Sequence, residues 1–218
     1  MSAPVVITGA GGRLGAAVTK AFSSAGHQVI YVDRSFKETP DGLHFEADLT
    51  DESQVQDLFD QINNQVGSIK GVVQLAGTWA MKPFLETSMD DWQSMMNINV
   101  VSTFLCFREG VRQLKRQETP GGRLVAISAG PGVDRGVGQM APYAAAKASV
   151  ARIVEAVADE FNGDGITAHG VAPSTILFED TDEEGVHDHE LAELCVTLFG
   201  SVGDALSGQV VRAYGSKF

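Results

Sequence analysis

Residues 4–15 read PVVITGAGGRLG, a short β-branched run that is followed at once by a cluster of glycines. The apolar residues that come next, through Val18 and Phe22, have helical spacing. Glycines let the backbone approach a pyrophosphate closely, and a helix N-terminus offers free amide donors and the positive end of its dipole. The stretch therefore predicts a strand, a turn and a helix that bind a dinucleotide. The predicted contacts are Gly9, Gly11, Gly12, Arg13, Leu14 and Gly15.

The remainder of the chain repeats this alternation of strand and helix. Further strands are predicted at residues 28–32, 43–47, 71–75, 123–127, 166–172 and 209–211. Amphipathic helical patterns separate most of them, and such alternation is typical of a parallel sheet with helices on both faces. We therefore predict the α/β class, with a doubly wound parallel sheet of about seven strands. The sheet should form a single domain over residues 1–218.

Composition and charge narrow the function. The 218 residues are 44% hydrophobic and carry a formal net charge of −12, which argues against nucleic acid and anionic membranes as partners. No apolar run approaches the roughly 20 residues of a membrane span, and no basic region precedes the first apolar run. Cys106 and Cys195 are isolated, and each falls in an apolar helical pattern. We expect a cytoplasmic protein with buried thiols and a small-molecule substrate.

The end of the second predicted strand carries the residues that distinguish the two dinucleotides. Asp33 lies about 20 residues after the glycines, where a carboxylate accepts hydrogen bonds from a ribose 2′-hydroxyl and repels a 2′-phosphate. Asp33 therefore favours NAD over NADP. Arg13 and Arg34 keep NADP open as the alternative, because either guanidinium could hold a 2′-phosphate.

Two further strand ends supply contacts for the same ligand. Asp48 and Leu49 follow the third strand, where they could meet the edge and the face of the adenine. The alternative is a capping turn before the next helix, and the two interpretations can hold together. Ala76 and Gly77 follow the fourth strand, and their small size lets a nicotinamide ribose pass close to the backbone.

Residues 142–147 read PYAAAK and open a helical pattern that continues to Phe161. Positions i and i+4 share a helix face, so Tyr143 and Lys147 can point into one site. A nearby ammonium favours the phenolate, so we expect it to lower the pKa of Tyr143 and to make the phenol a proton donor. Asn99 lies within another apolar helical pattern, where we expect a local kink or a bound water.

With these landmarks in their order, the chain resembles the short-chain dehydrogenase/reductase family over nearly its whole length. The resemblance implies a Rossmann-type sheet, NAD(P) as the cofactor, and a homodimer or homotetramer. It also implies that Tyr143 donates the proton, that Lys147 binds the nicotinamide ribose and that Asn99 holds a water of the proton relay. Pro173 and Thr175, in the segment after the sixth strand, are implied as further cofactor contacts.

Two departures from the family direct the substrate prediction. Arg13 stands where most members carry the middle glycine of the turn, a variant similar to that of the pteridine reductases. Ala129 aligns with the substrate-orienting serine, and Ser128 beside it would face the other way on an extended segment. The loop that follows is rich in glycine, which suggests room for a ligand at Ala129.

A subgroup of the family lacks the same serine. The stretch AGTWA at residues 76–80 is similar to that of dihydropteridine reductase and its bacterial relatives. The resemblance implies a flat, conjugated substrate, on which Trp79 would stack. We therefore predict an NAD(P)H-dependent oxidoreductase that transfers hydride to a small planar quinonoid or carbonyl substrate, such as a quinonoid dihydropterin. The alternatives are a 3-oxoacyl or small-ketone reductase and a non-catalytic protein that senses the nucleotide.

A short acidic loop at about residues 174–190 should lie on the substrate side of the domain. Runs so acidic often stay solvated, so we expect residues 177–190 to be mobile. His187 and His189 fall in this loop without a second cluster of ligands. No metal site is therefore predicted.

Overall fold

A computed structural model describes residues 3–179 and 183–215. Within them the chain forms the strands β1 (Val5–Thr8), β2 (Val29–Asp33), β3 (His44–Glu46), β4 (Gly71–Gln74), β5 (Gly122–Ile127), β6 (Ile166–Pro173), β7 (Ile176–Leu177), β8 (Val186–His187) and β9 (Val210–Ala213). The α-helices are α1 (Arg13–Ser24), α2 (Glu52–Val66), α3 (Met89–Met96), α4 (Ser102–Arg116), α5 (Gly130–Val133), α6 (Ala141–Phe161), α7 (Asp188–Leu198) and α8 (Ser201–Ala205).

Seven of the strands form one parallel sheet in the order β3-β2-β1-β4-β5-β6-β9. In the middle of the sheet, Val5 of β1 is in register with Val29 on one side and with Gly71 on the other. The predicted fold is thereby confirmed as a doubly wound α/β sheet of the Rossmann type. The strand order changes direction between β1 and β4, and in such sheets ligands bind in the crevice at the carboxyl ends of the strands.

Helices cover both faces of the sheet because successive strand residues point to opposite sides. Val6 and Val72 pack into a core with α2, α4 and α6. Val5, Ile7 and Val73 pack on the other face with α1 and α7. All five side chains are fully buried, as expected for the near-continuous apolar strands of a sheet covered on both faces.

One segment agrees with the sequence-based expectation, and two differ from it. Asn97–Val101 forms a π-helical segment between α3 and α4, which gives the expected kink a definite form. The loop after β5, expected to leave room for a ligand, contains α5 packed on α6: a β-carbon on Gly132 would lie 2.6 Å from the carbonyl carbon of Lys147. The acidic loop is shorter than predicted, because β7 and β8 pair in parallel and α7 begins at Asp188.

The mobility expected for residues 177–190 stays a prediction. Residues 180–182 lie outside the described residues, and the two ends of the run belong to β7, β8 and α7. Among the helices of residues 3–179 and 183–215, none is both long and apolar enough to cross a membrane.

Candidate active site

The turn after β1 lies in direct contact with neighbouring backbone. Gly9 has a φ of +65°, and a β-carbon there would lie 2.8 Å from the amide nitrogen of Ala76. A β-carbon on Gly15 would collide with the carbonyl oxygen of Gly9. Gly12 precedes α1 and has no side chain that could cap its first amides. These amides stay available for an anion, so the turn fits the pyrophosphate of a dinucleotide.

Two backbone amides fix the carboxylate of Asp33 beside this turn. Its Oδ2 accepts a hydrogen bond from the nitrogen of Gly11 at 2.9 Å, and its Oδ1 accepts one from the nitrogen of Arg34 at 2.7 Å. Arg13 instead contacts the segment after β7: its guanidinium lies 4.0 Å from the centre of the Phe178 ring. Arg13, one of the two cations that could hold the 2′-phosphate of NADP, is therefore already packed against another side chain.

A cleft of about 1140 Å³ follows the carboxyl edge of the sheet. One part, which we call the glycine half, is lined by Gly9, Gly12, Arg13, Leu14, Gly15, Asp33, Arg34, Ala47, Asp48, Leu49 and Thr50. The other part, the tryptophan half, is lined by Thr78, Trp79, Ala80, Met81, Lys82, Thr87, Asp90, Asp91, Ser94, Met95, Asn97, Ile98, Gln139 and Pro142. The remaining lining residues are Leu75, Ala76 and Gly77, which lie between the two, and Phe178, whose ring contacts Arg13. The cleft thus collects most of the predicted cofactor contacts, together with Trp79.

Asp48 forms a turn with Thr50 just before α2, while its predicted contact with the adenine stays a prediction. Its Oδ1 accepts hydrogen bonds from the backbone nitrogen and the hydroxyl of Thr50, at 2.9 and 2.7 Å, and these bonds lower the pKa of the carboxyl group. The helix cap itself is Asp51, whose carboxylate accepts from the nitrogens of Ser53 and Gln54. Asp48 and Leu49 both line the glycine half, although the Leu49 side chain is largely buried in the core.

Gly77 is the point where the cleft meets the predicted catalytic residues. A β-carbon there would lie 2.7 Å from Oδ1 of Asn99 and 3.4 Å from Nζ of Lys147. Only a residue without a side chain fits between these two groups and the cleft. The close approach is consistent with a ribose passing over Gly77, and it brings Asn99 and Lys147 to the cleft wall.

Tyr143 and Lys147 share one face of α6, as their spacing predicts. Nζ of Lys147 lies 5.9 Å from the centre of the Tyr143 ring and donates a hydrogen bond to the carbonyl oxygen of Ile127 at 2.8 Å. Lys147 is 7% exposed, and burial lowers its pKa to about 8.

The prediction that the pKa of Tyr143 is lowered is wrong. Burial raises the pKa of this phenol above its ordinary value, because an apolar environment disfavours the phenolate. Its ammonium neighbour is also buried and is directed to the carbonyl oxygen of Ile127. The effect of burial therefore exceeds the effect of the charge, and the phenol stays protonated at neutral pH.

Asn99 lies in the π-helical segment, and hydrogen bonds occupy its side chain. Its Oδ1 accepts from the nitrogen of Thr78 at 3.3 Å, while its Nδ2 donates to the carbonyl oxygens of Thr78 and Met95, both at 3.0 Å. The amide thus holds the segment after β4 against the helix. Holding a relay water, the role implied by the resemblance, stays a prediction.

Ala129 does not reach the cleft as a substrate contact should. It is 3% exposed and precedes α5, where the nitrogen of Gly132 donates to its carbonyl oxygen at 2.9 Å. Ser128 faces away from the cleft as expected, since its hydroxyl donates to the carbonyl oxygen of Lys147 at 2.8 Å. Neither residue supplies a hydroxyl to the site.

The two contacts predicted after β6 lie apart from the cleft lining. Pro173 is buried at the end of β6. Thr175 is exposed, and its carbonyl oxygen accepts from the nitrogen of Val186 at 2.9 Å, which helps to close the small sheet of β7 and β8. Phe178 is the residue of this segment that lines the cleft instead.

The sequence did not single out the contacts that shape the tryptophan half. The nitrogen of Lys82 donates to the carbonyl oxygen of Gln139 at 2.8 Å, and Nζ of Lys82 lies 2.5 Å from the carboxylate of Asp91. Asp91 also accepts from the nitrogen of Ser88 at 2.8 Å, as part of a capping box on α3. Ser88 and Asp91 have the spacing of such a box, so this part was open to prediction. The contact between Lys82 and Gln139 has no local signal.

The titratable groups around the cleft do not form a metal centre. In the part of the chain that the structure describes, no three His, Cys, Asp or Glu side chains are grouped to hold an ion. The rings of His187 and His189 stack on each other, with their centres 5.3 Å apart.

Comparisons with known proteins agree on the fold and the family. A family profile described as short chain dehydrogenase matches residues 3–188. The D-threitol dehydrogenase of Mycolicibacterium smegmatis is 30% identical over 186 residues, which cover 80% of this chain and 70% of that protein. The 3-oxoacyl-[acyl-carrier-protein] reductase MabA of Mycobacterium tuberculosis is 28% identical over 194 residues, or 88% of this chain and 76% of its own length.

A solved structure extends the likeness to nearly the whole chain. The structure of ElxO with NADP bound superimposes with a TM-score of 0.87 at 21% identity, covering 98% of this chain and 97% of ElxO. At this identity the likeness establishes the fold.

Proposed function

The chain belongs to the short-chain dehydrogenase family and is an NAD(P)-dependent oxidoreductase, and from that premise we propose that it uses NADH to reduce a small planar quinonoid substrate such as a quinonoid dihydropterin. Family membership also sets aside the alternative of a non-catalytic sensor. The observation that carries the proposal is Trp79, which is 63% exposed and lines the cleft beside Gly77. An exposed indole there offers a stacking face to a flat ring.

The preference for NADH rests on Asp33. Its carboxylate is held beside the glycine turn by the nitrogen of Gly11, where it would accept a hydrogen bond from a 2′-hydroxyl and repel a 2′-phosphate. Arg34 lines the same half of the cleft, and ElxO carries NADP in a similar fold. We give more weight to the carboxylate because two backbone amides fix its position.

The proposed chemistry divides between the cofactor and the chain. The bound nicotinamide supplies the hydride. Tyr143 supplies the proton: its phenol is protonated at neutral pH, and it shares a helix face with Lys147, whose Nζ lies 5.9 Å from the centre of its ring. Lys147, buried behind Gly77, would hold the nicotinamide ribose and favour the phenolate as the proton leaves. Asn99 positions the backbone of Thr78, the residue that precedes Trp79.

A quinonoid ring suits a site without a hydroxyl at position 129. Hydride arrives on an electron-poor conjugated ring, so charge spreads over several atoms and depends less on one donor than it does at a ketone. Ala129 and Ser128 supply no such donor to the cleft. The proposal therefore accounts for Trp79 and Ala129 together.

The relatives favour a second candidate, the reduction of a 3-oxoacyl thioester or a small ketone. MabA acts on a 3-oxoacyl carrier protein by its name, and D-threitol dehydrogenase on a polyol. During reduction of a 3-oxoacyl thioester or a ketone, negative charge develops on a single carbonyl oxygen. The site would then need another hydrogen-bond donor in place of the serine hydroxyl that is missing at position 129.

The two candidates are separated by initial rates of NADH oxidation on three substrates: quinonoid dihydropterin, an acetoacetyl thioester and 2,3-butanedione. We expect kcat/KM for the pterin to exceed the other two by at least about tenfold. A higher value for the thioester or the diketone, with no pterin turnover, would replace the proposal by the second candidate. The same assays with NADPH test the cofactor preference.

We further infer a cytoplasmic homodimer or homotetramer. Cys106 and Cys195 are both free and buried, and burial raises the pKa of Cys106 and, to about 12, that of Cys195. Unpaired, unreactive thiols suit a reducing compartment. The oligomeric state is inferred from the family and is tested by light scattering of the purified protein.

A further inference from the structure

The backbone of Gln139 departs from the ordinary conformation at the edge of the tryptophan half. Its φ is +64°, and among the non-glycine residues that the structure describes it alone has a positive φ. The left-handed region is unfavourable for a residue with a β-carbon. Residues held in such conformations cluster at functional sites, so an observed outlier is a reason to look for a function.

A turn over residues 137–140, closed by the hydrogen bond from the nitrogen of Met140 to the carbonyl oxygen of Val137 at 3.1 Å, places Gln139 in this conformation, and further contacts fix it. The carbonyl oxygen of Gln139 accepts from the nitrogen of Lys82 at 2.8 Å, and Nζ of Lys82 lies 2.5 Å from the carboxylate of Asp91. Asp91 in turn caps α3. The following residue, Met140, accepts from the nitrogen of Ala144 at 2.8 Å, at the start of the helix that carries Tyr143. The position of Gln139 is therefore tied to both walls of the tryptophan half.

The side chain of Gln139 is exposed, and the residue lines the cleft. Two other donors of this half are committed elsewhere: Thr87 donates its hydroxyl to the carbonyl oxygen of Pro83 at 3.1 Å, and the ammonium of Lys82 is paired with Asp91. Thr78, Trp79, Ser94 and Asn97 also line the cleft with polar groups, but none of them has a positive φ. Gln139 combines an amide donor, a place in the cleft and a held, strained backbone.

We propose that Gln139 is the substrate-orienting residue of this site, and that its side-chain amide donates the hydrogen bond which the alanine at position 129 cannot. The inference rests on the proposed function, since it assumes that the tryptophan half receives the substrate. As hydride adds two electrons to the ring, negative charge develops on a conjugated oxygen or nitrogen, and the amide stabilises that atom until Tyr143 delivers its proton.

Three variants test this role. Gln139→Glu keeps the size of the side chain but replaces the donor by an acceptor. Gln139→Gly removes the amide and relieves the positive φ. Val137→Ala is the matched control, because Val137 lies in the same loop, is 43% exposed and is not among the residues that line the cleft.

Each variant is assayed for NADH oxidation with quinonoid dihydropterin, for NADH binding by fluorescence, and for its melting temperature. We expect kcat/KM to fall at least about tenfold in Gln139→Glu and Gln139→Gly, while the Kd for NADH changes by less than about twofold. The melting temperature of Gln139→Gly should be equal to or above that of the parent. Val137→Ala should match the parent in all three measurements.

The outcomes separate this inference from the proposed function. If the parent turns over the pterin and both Gln139 variants keep its kcat/KM within about twofold, the inference is wrong and the proposed function stands. A fall in kcat/KM that is matched by a lower melting temperature in Gln139→Gly would assign Gln139 a structural role and also overturn the inference. If the parent neither turns over nor binds the pterin, as judged by quenching of tryptophan fluorescence in the NADH complex, both proposals fail together.

Discussion

At the scale of single residues, burial decides the protonation states of the site. Tyr143 and Lys147 lie on one helix face, which would favour the phenolate if the ammonium were free to approach it. The ammonium instead donates to Ile127, and burial raises the pKa of the phenol and lowers the pKa of the amine. Near neutral pH the protein therefore carries the buried ammonium of Lys147, and deprotonation of this group would remove the cost of burying a charge.

This charge makes stability depend on pH in a defined direction. The pKa of Lys147 falls from its ordinary value of 10.5 to about 8, so the unfolded chain binds more protons than the folded one between these values. Below about pH 8 the full penalty of the buried ammonium is present, and it is relieved as the pH rises towards 10.5. Stability of the parent should therefore rise through this window by up to roughly 3 kcal/mol from this group.

The variant Lys147→Met has no buried charge at this position, so it avoids the cost that the parent pays near neutral pH. We predict that the free energy of unfolding of Lys147→Met, relative to that of the parent, decreases as the pH rises. The measurement is the free energy of unfolding in urea for both proteins at about pH 7.5 and pH 10, where groups common to the two cancel in the difference. A difference that stays constant, or that moves in favour of Lys147→Met at the higher pH, would contradict the assignment.

Asp33 carries the prediction on cofactor choice. In Asp33→Ser the carboxylate that repels a 2′-phosphate is removed, and Arg34 remains in the same half of the cleft. We expect the ratio of NADPH to NADH affinity to rise at least about tenfold. The control is Asp51→Asn, which removes one charge outside the cleft lining and retains a good helix cap. An unchanged ratio in Asp33→Ser would show that the carboxylate does not select the cofactor.

At the scale of elements, a buried polar network joins the strand ends to the helix of the site. Oε1 of Gln74 accepts from the hydroxyl of Thr8, and its Nε2 donates to the hydroxyl of Ser102 at 3.1 Å. Ser102 donates in turn to the carbonyl oxygen of Ile98 at 2.6 Å, within the π-helical segment. The network thereby links β1 and β4 to the segment that holds Asn99.

We predict that Gln74→Leu lowers the free energy of unfolding by about 1–3 kcal/mol, because it leaves the hydroxyl of Thr8 buried without its acceptor. Urea unfolding of the parent and of Gln74→Leu measures the effect. A variant as stable as the parent would show that the network contributes little to stability.

The elements divide into those that the sequence predicts and those that depend on distant contacts. The strands of the main sheet were predictable, because each is a β-branched or apolar run between turn signals. The helix α5 was not, since glycine and proline are poor helix formers, and its close contact with α6 depends on Gly132. The pairing of β7 with β8 was hidden by the acidic residues between them.

The site follows the same division. The glycine turn, Asp33, Gly77 and the spacing of Tyr143 and Lys147 were readable because local geometry fixes each of them. The pKa of Tyr143 was predicted in the wrong direction, because burial is a property of the assembled core. Gln139 was not singled out, because its place at the cleft depends on a contact with Lys82, which is distant in the chain.

At the scale of the whole molecule, the sheet order brings the parts of the site together. The change of direction between β1 and β4 opens the crevice that holds the glycine turn, and the loops after β4 and β5 extend it to Trp79 and to Pro142, the residue before Tyr143. The central claim is that this crevice performs hydride transfer with Tyr143 as the proton donor.

The most direct test is the rate of NADH oxidation with quinonoid dihydropterin, measured for the parent and for Tyr143→Phe at saturating NADH. The account predicts turnover by the parent, a kcat at least about a hundredfold lower in Tyr143→Phe, and NADH affinity unchanged within about twofold. A variant that retains the kcat of the parent would contradict the account, because the proton would then come from another group.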